Sequence, residues 1–116
     1  MDEAKKSQLL AAGIDLDSAL ERFMGKESML ERYLGRFLED KSFAALRLAA
    51  ESGDRENARV SVHTLKSVCG SIGCSEMQAL AIEQEKLMRA EQWDDALAMM
   101  PQLAEAYDRV CSAIRG

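Results

Sequence analysis

The single histidine of the chain, His63, is the residue whose type and surroundings point most directly to chemistry. Its neighbour Val62 belongs to a regular apolar stripe, and one helical step of roughly 100° turns the imidazole to the edge of that stripe, where it reaches solvent. A cation one turn along, Lys66, would keep the ring neutral and nucleophilic through like-charge repulsion and would attract a phosphoryl group. This pair of properties is what phosphoryl transfer requires.

Small residues leave space beside the imidazole. Positions three, four and seven residues away share its helix face and hold Arg59, Val60, Lys66, Ser67 and Gly70. Gly70 destabilises a helix by roughly 1 kcal/mol relative to alanine, so its presence inside a predicted helix indicates that the space beside it is needed. We expect a shallow exposed track past Ser67 and Gly70 on which another protein docks.

Apolar residues at helical spacing predict the helix that carries His63. The stripe consists of Ala58, Val62, Leu65, Cys69 and Ile72, at alternating intervals of four and three. Gly53 is predicted to end one helix, and Asp54 is predicted to be the N-cap of the next. Gly73 is expected to end the His63 helix, and Ser75 to cap the helix that follows.

Similar stripes predict the remaining elements. A short helix follows the N-cap Asp15, and a longer helical stretch covers residues 26–52 with a joint near Lys41. The last stretch covers residues 93–114, where Pro101 should kink the helix or begin a new turn. Four long striped segments joined by tight turns predict an all-α fold, an antiparallel four-helix bundle with a short accessory N-terminal helix.

The composition agrees with one domain over residues 1–116 and disfavours several function classes. Four Val, four Ile and one Thr are too few for a sheet fold. A formal net charge of -5 argues against nucleic-acid binding, which needs clustered Lys and Arg. No apolar run approaches the ~20 residues of a membrane span, and the first residues lack a secretory signal. We therefore expect a cytoplasmic chain without direct membrane insertion. A bundle whose apolar face is filled by its own helices is expected to be a monomer.

The three cysteines indicate neither a metal site nor a catalytic thiol. Cys69, Cys74 and Cys111 are an odd number with apolar neighbours, as expected of buried thiols. A metal site that joined His63 to Cys69 and Cys74 is disfavoured, because the spacing directs Cys69 into the core and Cys74 beyond the helix end. A thiol nucleophile would lack a second histidine to activate it. We expect no metal or other cofactor in the chain itself.

One segment of the sequence matches a known signature. His63-Thr64-Leu65-Lys66-Ser67, followed by Ile72-Gly73 and Cys74, resembles the HxLKG...(I/L)GA signature of histidine-containing phosphotransfer (HPt) domains. The resemblance covers nearly the whole chain, with supporting residues at Gly13-Ile14-Asp15, Tyr33, Phe37, Gly53-Asp54, Glu85 and Leu87. The sequence departs from the pattern at Ser67, where glycine is usual, and at Cys69 and Cys74, which replace small alanines.

The resemblance implies a phosphorelay carrier of two-component signalling. His63 would accept a phosphoryl group from a receiver-domain aspartate and pass it to the aspartate of another receiver domain. Lys66 would stabilise the phosphoryl group, and Glu85 would face the site from the adjacent helix. The implied partners are response-regulator receiver domains and a hybrid sensor histidine kinase, with Mg²⁺ supplied by the receiver.

The sequence also bears on what kind of carrier this is. It contains no Gly-rich phosphate loop and no kinase signature, so we expect a phosphotransfer intermediate rather than an enzyme. The expected docking surface consists of Arg59, Val60, Ser67, Gly70 and Glu85, with Lys66 and Met88 beside them. The alternative is a helical-bundle adaptor, a pure binding module whose histidine is not phosphorylated.

Overall fold

Helices make up all of the regular structure in the computed structural model, which describes residues 1–116. In chain order they are α1 (Glu3–Ala11), α2 (Leu16–Arg22), α3 (Glu27–Phe37), α4 (Ser42–Ser52), α5 (Arg55–Ser71), α6 (Ser75–Arg89), α7 (Trp93–Ala98) and α8 (Met100–Arg115). None of the eight combines the length and the apolarity that a membrane span requires. The predicted all-α class is confirmed.

The helix that carries His63, α5, lies between α4 and α6. The contacts between α5 and α6 show that the two helices run antiparallel. Gly70 faces Gln78 near the connecting turn, whereas His63, two turns back along α5, contacts Glu85, two turns further along α6. The helix α6 in turn packs on α7 and α8, and α8 packs on α1 and α3.

The turn between α5 and α6 depends on glycine. Gly73 has a φ of +74°, in the left-handed region that glycine adopts without a steric penalty. A Cβ at this position would come 2.8 Å from the Cβ of Ala19 and 2.9 Å from the backbone oxygen of Asp15. Gly73 therefore allows both the sharp turn and the close approach of α2 to the end of the hairpin.

The apolar stripe of α5 is buried as predicted. Ala58, Val62, Leu65, Cys69 and Ile72 are each at most 2% exposed. The cysteine thiols are free and buried as well. Burial raises the pKa of Cys69 well above its ordinary value and that of Cys74 to about 12, so both remain protonated thiols near neutral pH.

The number of helices differs from the sequence-based prediction. Residues 26–52 form two helices, with a break at 38–41 where the Asp40 carboxylate accepts a hydrogen bond from the Ser42 backbone N–H at 2.8 Å. The C-terminal stretch is also two helices, and Pro101 lies in the first turn of α8, where its missing N–H costs no hydrogen bond. The first break lies at the joint predicted near Lys41, and the second lies beside Pro101, where a kink or a new turn was predicted.

One helix of the structure was not predicted, and one predicted N-cap is corrected. The helix α1 was not predicted, because only Leu9 of α1 is buried and its apolar stripe is weak. The Asp2 side chain caps α1 by accepting a hydrogen bond from the Lys5 backbone N–H. The expected N-cap at Ser75 is wrong, because Cys74 occupies the N-cap position and Ser75 begins α6. The predicted N-caps Asp15 and Asp54 are confirmed, since each carboxylate accepts a backbone N–H three residues later.

Candidate functional site

His63 lies on the exposed edge of α5, one residue from the fully buried Val62. Its side chain is 57% exposed. The ring lines an open pocket together with Arg59, Val60, Thr64, Glu85 and Arg89. The expected solvent exposure of the imidazole is therefore confirmed, and the pocket leaves room for a group bonded to it.

A carboxylate on α6 orients the imidazole. Nδ1 of His63 lies 2.8 Å from Oε2 of Glu85. An ionised carboxylate only accepts hydrogen bonds, so the ring donates through its Nδ1–H. A neutral imidazole carries a single N–H, and Nε2 therefore holds the lone pair. The structure thus presents Nε2 as the nucleophilic nitrogen.

Glu85 is the centre of the hydrogen-bond network at this site. Besides the bond from His63, its carboxylate accepts hydrogen bonds from Nζ of Lys66 at 2.6 Å and from Nη2 of Arg89 at 3.4 Å. Burial by itself would raise the pKa of Glu85. This effect is outweighed by the hydrogen bonds from Lys66 and His63 and by the charges of Lys66 and Arg89, so the pKa is lowered overall. Glu85 is therefore ionised near neutral pH, although its side chain is only 9% exposed.

Lys66 lies on the same face of α5 as His63, as its spacing indicates, but its ammonium group is paired with a carboxylate. Its side chain is 26% exposed, and the ammonium group donates a hydrogen bond to Glu85 on the same side of α5 as the imidazole. The carboxylate thus lies between the ring and the ammonium group and offsets the like-charge repulsion that the sequence predicts. The positive charge of Lys66 remains close to the pocket.

The expected docking surface is only partly exposed. Arg59, Val60 and Ser67 are on the surface, and the first two line the pocket. Gly70, Glu85 and Met88 are buried, so the expectation that they are exposed is wrong.

The burial of Gly70 has a specific cause. Gln78 of α6 covers the place where a Cβ would project, and the Gly70 carbonyl accepts a hydrogen bond from the guanidinium of Arg22 on α2. The space that the glycine leaves is therefore filled by the chain itself and does not form a track for a partner. Met88, in contrast, belongs to the hydrophobic core.

Sequence reasoning missed two charged groups, one beside the histidine and one that pairs with Arg59. Arg89 follows Glu85 by four residues on α6, a spacing that places opposite charges side by side and could have found it. Glu91 accepts a hydrogen bond from Arg59 across the α5–α6 pair at 2.7 Å, which no local spacing reveals. No group of three or more His, Cys, Asp or Glu side chains is arranged to hold a metal ion.

Together these side chains can support one kind of chemistry. The unprotonated Nε2 of the exposed His63 side chain can attack an electrophile, and the ionised Glu85 can stabilise the positive charge that the ring then gains. Arg59, Lys66 and Arg89 can offset the negative charge of an attached phosphoryl group. These properties fit a histidine that carries a phosphoryl group.

Comparison with protein-family models agrees with this chemistry. The model for the Hpt domain matches residues 28–113, well over half of the chain, and the match includes His63, Lys66 and Glu85. The resembling residues Gly13-Ile14-Asp15 lie outside the matched range. Comparisons with curated proteins and with solved structures gave no significant match.

Hpt domains are helical bundles that carry phosphoryl groups on histidine in two-component phosphorelays. They are carriers rather than kinases, and they interact with the receiver domains of response regulators and hybrid kinases. The extent of the family match, the all-helical fold and the exposed histidine lead to one assignment: this chain belongs to the Hpt domain family.

Proposed function

We propose that this chain is a phosphorelay carrier in which His63 accepts a phosphoryl group from the aspartate of one receiver domain and passes it to the aspartate of another. The observation that carries the proposal is the hydrogen bond from Nδ1 of His63 to the ionised Glu85, on a ring that is more than half exposed. This bond leaves Nε2 unprotonated, on a side chain that a partner can reach from solvent.

The proposed transfer needs no proton movement within this chain. The lone pair of Nε2 forms the N–P bond while the bond between phosphorus and the aspartyl oxygen breaks, and that oxygen leaves with the bonding pair as a carboxylate. Nδ1 keeps its proton, and the ring becomes positively charged. Glu85 stabilises that charge through the same hydrogen bond. Transfer to the second receiver reverses these steps.

The other residues have supporting roles in this proposal. Lys66 stabilises the phosphoryl group by its charge and holds Glu85 in place through the 2.6 Å hydrogen bond. The receiver domain supplies Mg²⁺ and its own acidic pocket. Arg59, Val60 and Ser67 form the part of the docking surface that belongs to α5, because they are exposed beside His63.

The supporting scaffold can be proposed in the same terms. We infer that α4, α5, α6 and α8 form the antiparallel four-helix bundle, with α2 as the accessory helix at the α5–α6 turn. The packing of α5 on α4 and α6, and of α6 on α8, supports this arrangement. The site lies on the outer side of the α5–α6 pair.

Phosphate incorporation tests the proposed function. The chain is incubated with a phosphorylated receiver domain and Mg²⁺, and separately with phosphoramidate, which needs no docking. We expect acid-labile, base-stable phosphate on the wild type in both reactions and none on His63→Gln. Because the ring is exposed, the variant should keep the helical circular-dichroism spectrum. Absence of phosphate from the wild type in both reactions would support the adaptor alternative.

A further inference from the structure

Arg59 lies between the candidate phosphorylation site and the only tryptophan of the chain. Its guanidinium pairs with Oε1 of Glu91 at 2.7 Å and lies over the Trp93 ring, 5.2 Å from the centroid. The other carboxylate oxygen of Glu91 accepts a hydrogen bond from Nε1 of Trp93 at 2.8 Å. The three side chains thus form one cluster at the junction of α6 and α7.

The same arginine reaches toward His63. Arg59 precedes His63 by four residues on α5, so the two side chains lie side by side on one helix face. Both line the open pocket into which a group on Nε2 would project. Arg59 therefore has two alternative anions within reach once His63 is phosphorylated: the Glu91 carboxylate and the phosphoryl group.

The surroundings of Lys66 and Arg59 differ in what the movement of each cation would cost. Lys66 bonds to the buried Glu85, and its departure would take a hydrogen bond away from a carboxylate with little access to water. Arg59 and Glu91 are 43% and 62% exposed, and an ion pair this exposed is weak because water solvates both partners when it opens. A phosphoryl group carries nearly two negative charges, against one on Glu91.

We propose that Arg59 leaves Glu91 and pairs with the phosphoryl group on His63, so that Trp93 loses one of the two guanidinium groups over its ring and reports the phosphorylation state. This inference rests on the proposed phosphorylation of His63. It assigns Arg59 as a ligand of the phosphoryl group, and it makes the start of α7 a region whose surface changes when the carrier is loaded.

Intrinsic fluorescence tests the proposal, because Trp93 is the only tryptophan. The full chain is phosphorylated with phosphoramidate, the phosphorylated fraction is measured by intact mass, and the emission is recorded for the same samples. The matched control is Arg55→Gln, because Arg55 also covers the Trp93 ring, at 5.0 Å, but lies two turns from His63. We expect the emission to change in proportion to the phosphorylated fraction in the wild type and in Arg55→Gln, and to stay constant in Arg59→Gln.

Phosphorus NMR provides a readout that does not depend on the tryptophan. Loss of an exposed cation beside the phosphoryl group should raise its second pKa by roughly 0.2–0.7 unit. We expect this increase in Arg59→Gln, a smaller one in Arg59→Lys, and none in Arg55→Gln.

Each outcome of these experiments has a defined meaning. An unchanged phosphoryl pKa in Arg59→Gln would overturn the assignment of Arg59 as a ligand. A fluorescence response in Arg59→Gln equal to that of the wild type, or none in fully phosphorylated wild type, would overturn the movement of Arg59. A wild type that gains no mass would instead reject the phosphorylation of His63 itself, and with it this inference.

Discussion

At the scale of single residues, Glu85 determines the chemical state of the site. Its carboxylate receives hydrogen bonds from His63, Lys66 and Arg89 and remains charged although it is largely buried. The negative charge fixes the tautomer of the imidazole and compensates the ammonium group beside it. Removal of this one side chain therefore affects both the nucleophile and the cation.

Replacement of Glu85 by alanine should slow phosphorylation by phosphoramidate roughly tenfold, because a charge-assisted hydrogen bond to the ring is lost in the transition state. Glu85→Gln should lose less, since the amide oxygen can still accept the Nδ1–H. Nitrogen NMR of the imidazole should show Nδ1–H in the wild type and a mixture of tautomers in Glu85→Ala. The control is Glu83→Ala, an exposed carboxylate of the same helix. Equal rates in all four proteins would contradict the role of Glu85.

The lowered pKa of Glu85 predicts a specific pH dependence of stability. A carboxyl whose pKa is lower in the folded protein than in the unfolded chain stabilises the fold above the unfolded value, here about 4.5, and that stabilisation is lost as the pH falls through the folded value. The advantage of the wild type over Glu85→Gln in free energy of unfolding should therefore shrink as the pH falls below 4.5. Urea unfolding at several pH values measures it, with Glu83→Gln as the control. An advantage that grows with acidity would refute the assignment.

At the scale of helices, two glycines at the ends of one short segment have different functions. Gly70 lies inside α5, where only the end of the flexible Gln78 side chain occupies the place of a Cβ. Gly73 lies in the left-handed turn, where backbone and Cβ atoms of α2 occupy that place. The Gln78 side chain beside Gly70 can move aside, whereas the atoms beside Gly73 cannot.

Gly73→Ala should therefore lower the free energy of unfolding by about 2–4 kcal/mol, from left-handed backbone strain plus the collision with α2. Gly70→Ala should change it by less than about 1 kcal/mol, because the gain in helix propensity offsets the displacement of the Gln78 amide. Denaturant unfolding of both variants measures the difference. A larger loss in Gly70→Ala than in Gly73→Ala would contradict the described packing of the turn.

At the scale of the whole molecule, α1 ties the N-terminus to the C-terminal helix. Nζ of Lys5 donates hydrogen bonds to the backbone oxygens of Ala113 at 2.6 Å and Ile114 at 2.5 Å, which are among the last carbonyls of α8. A cation at a helix C-terminus is favourable because it opposes the partial negative charge there. This contact lies in a part of the molecule that does not line the His63 pocket.

Lys5→Met should consequently lower the free energy of unfolding by about 0.5–2 kcal/mol while the rate of His63 phosphorylation by phosphoramidate stays the same. Lys6→Met is the matched control, since Lys6 pairs only with the carboxylates of Glu3 and Glu27 at 3.8 and 3.5 Å and should contribute less. Thermal unfolding and the phosphorylation assay on the same samples separate the two effects. A phosphorylation rate that falls together with stability would show that α1 influences the site.

Much of the fold and part of the site could be predicted from the sequence. The spacing of apolar residues along α5 predicts which of its residues are buried, because a helix repeats every 3.6 residues whatever surrounds it. The exposure of His63 follows from the same periodicity. The helix α1 escaped prediction because a single buried residue, Leu9, gives almost no periodic signal.

The amino-acid sequence by itself determined the helical class, the buried stripe and the exposed position of the imidazole, since these depend on residues close together along the chain. Only the tertiary structure decided which nitrogen of His63 is free, that Gln78 covers Gly70, and that Glu91 pairs with Arg59. Each of these contacts joins α5 to a side chain about 8 to 32 residues later in the sequence. The packing angle and register of two helices set such contacts, and local periodicity does not specify them.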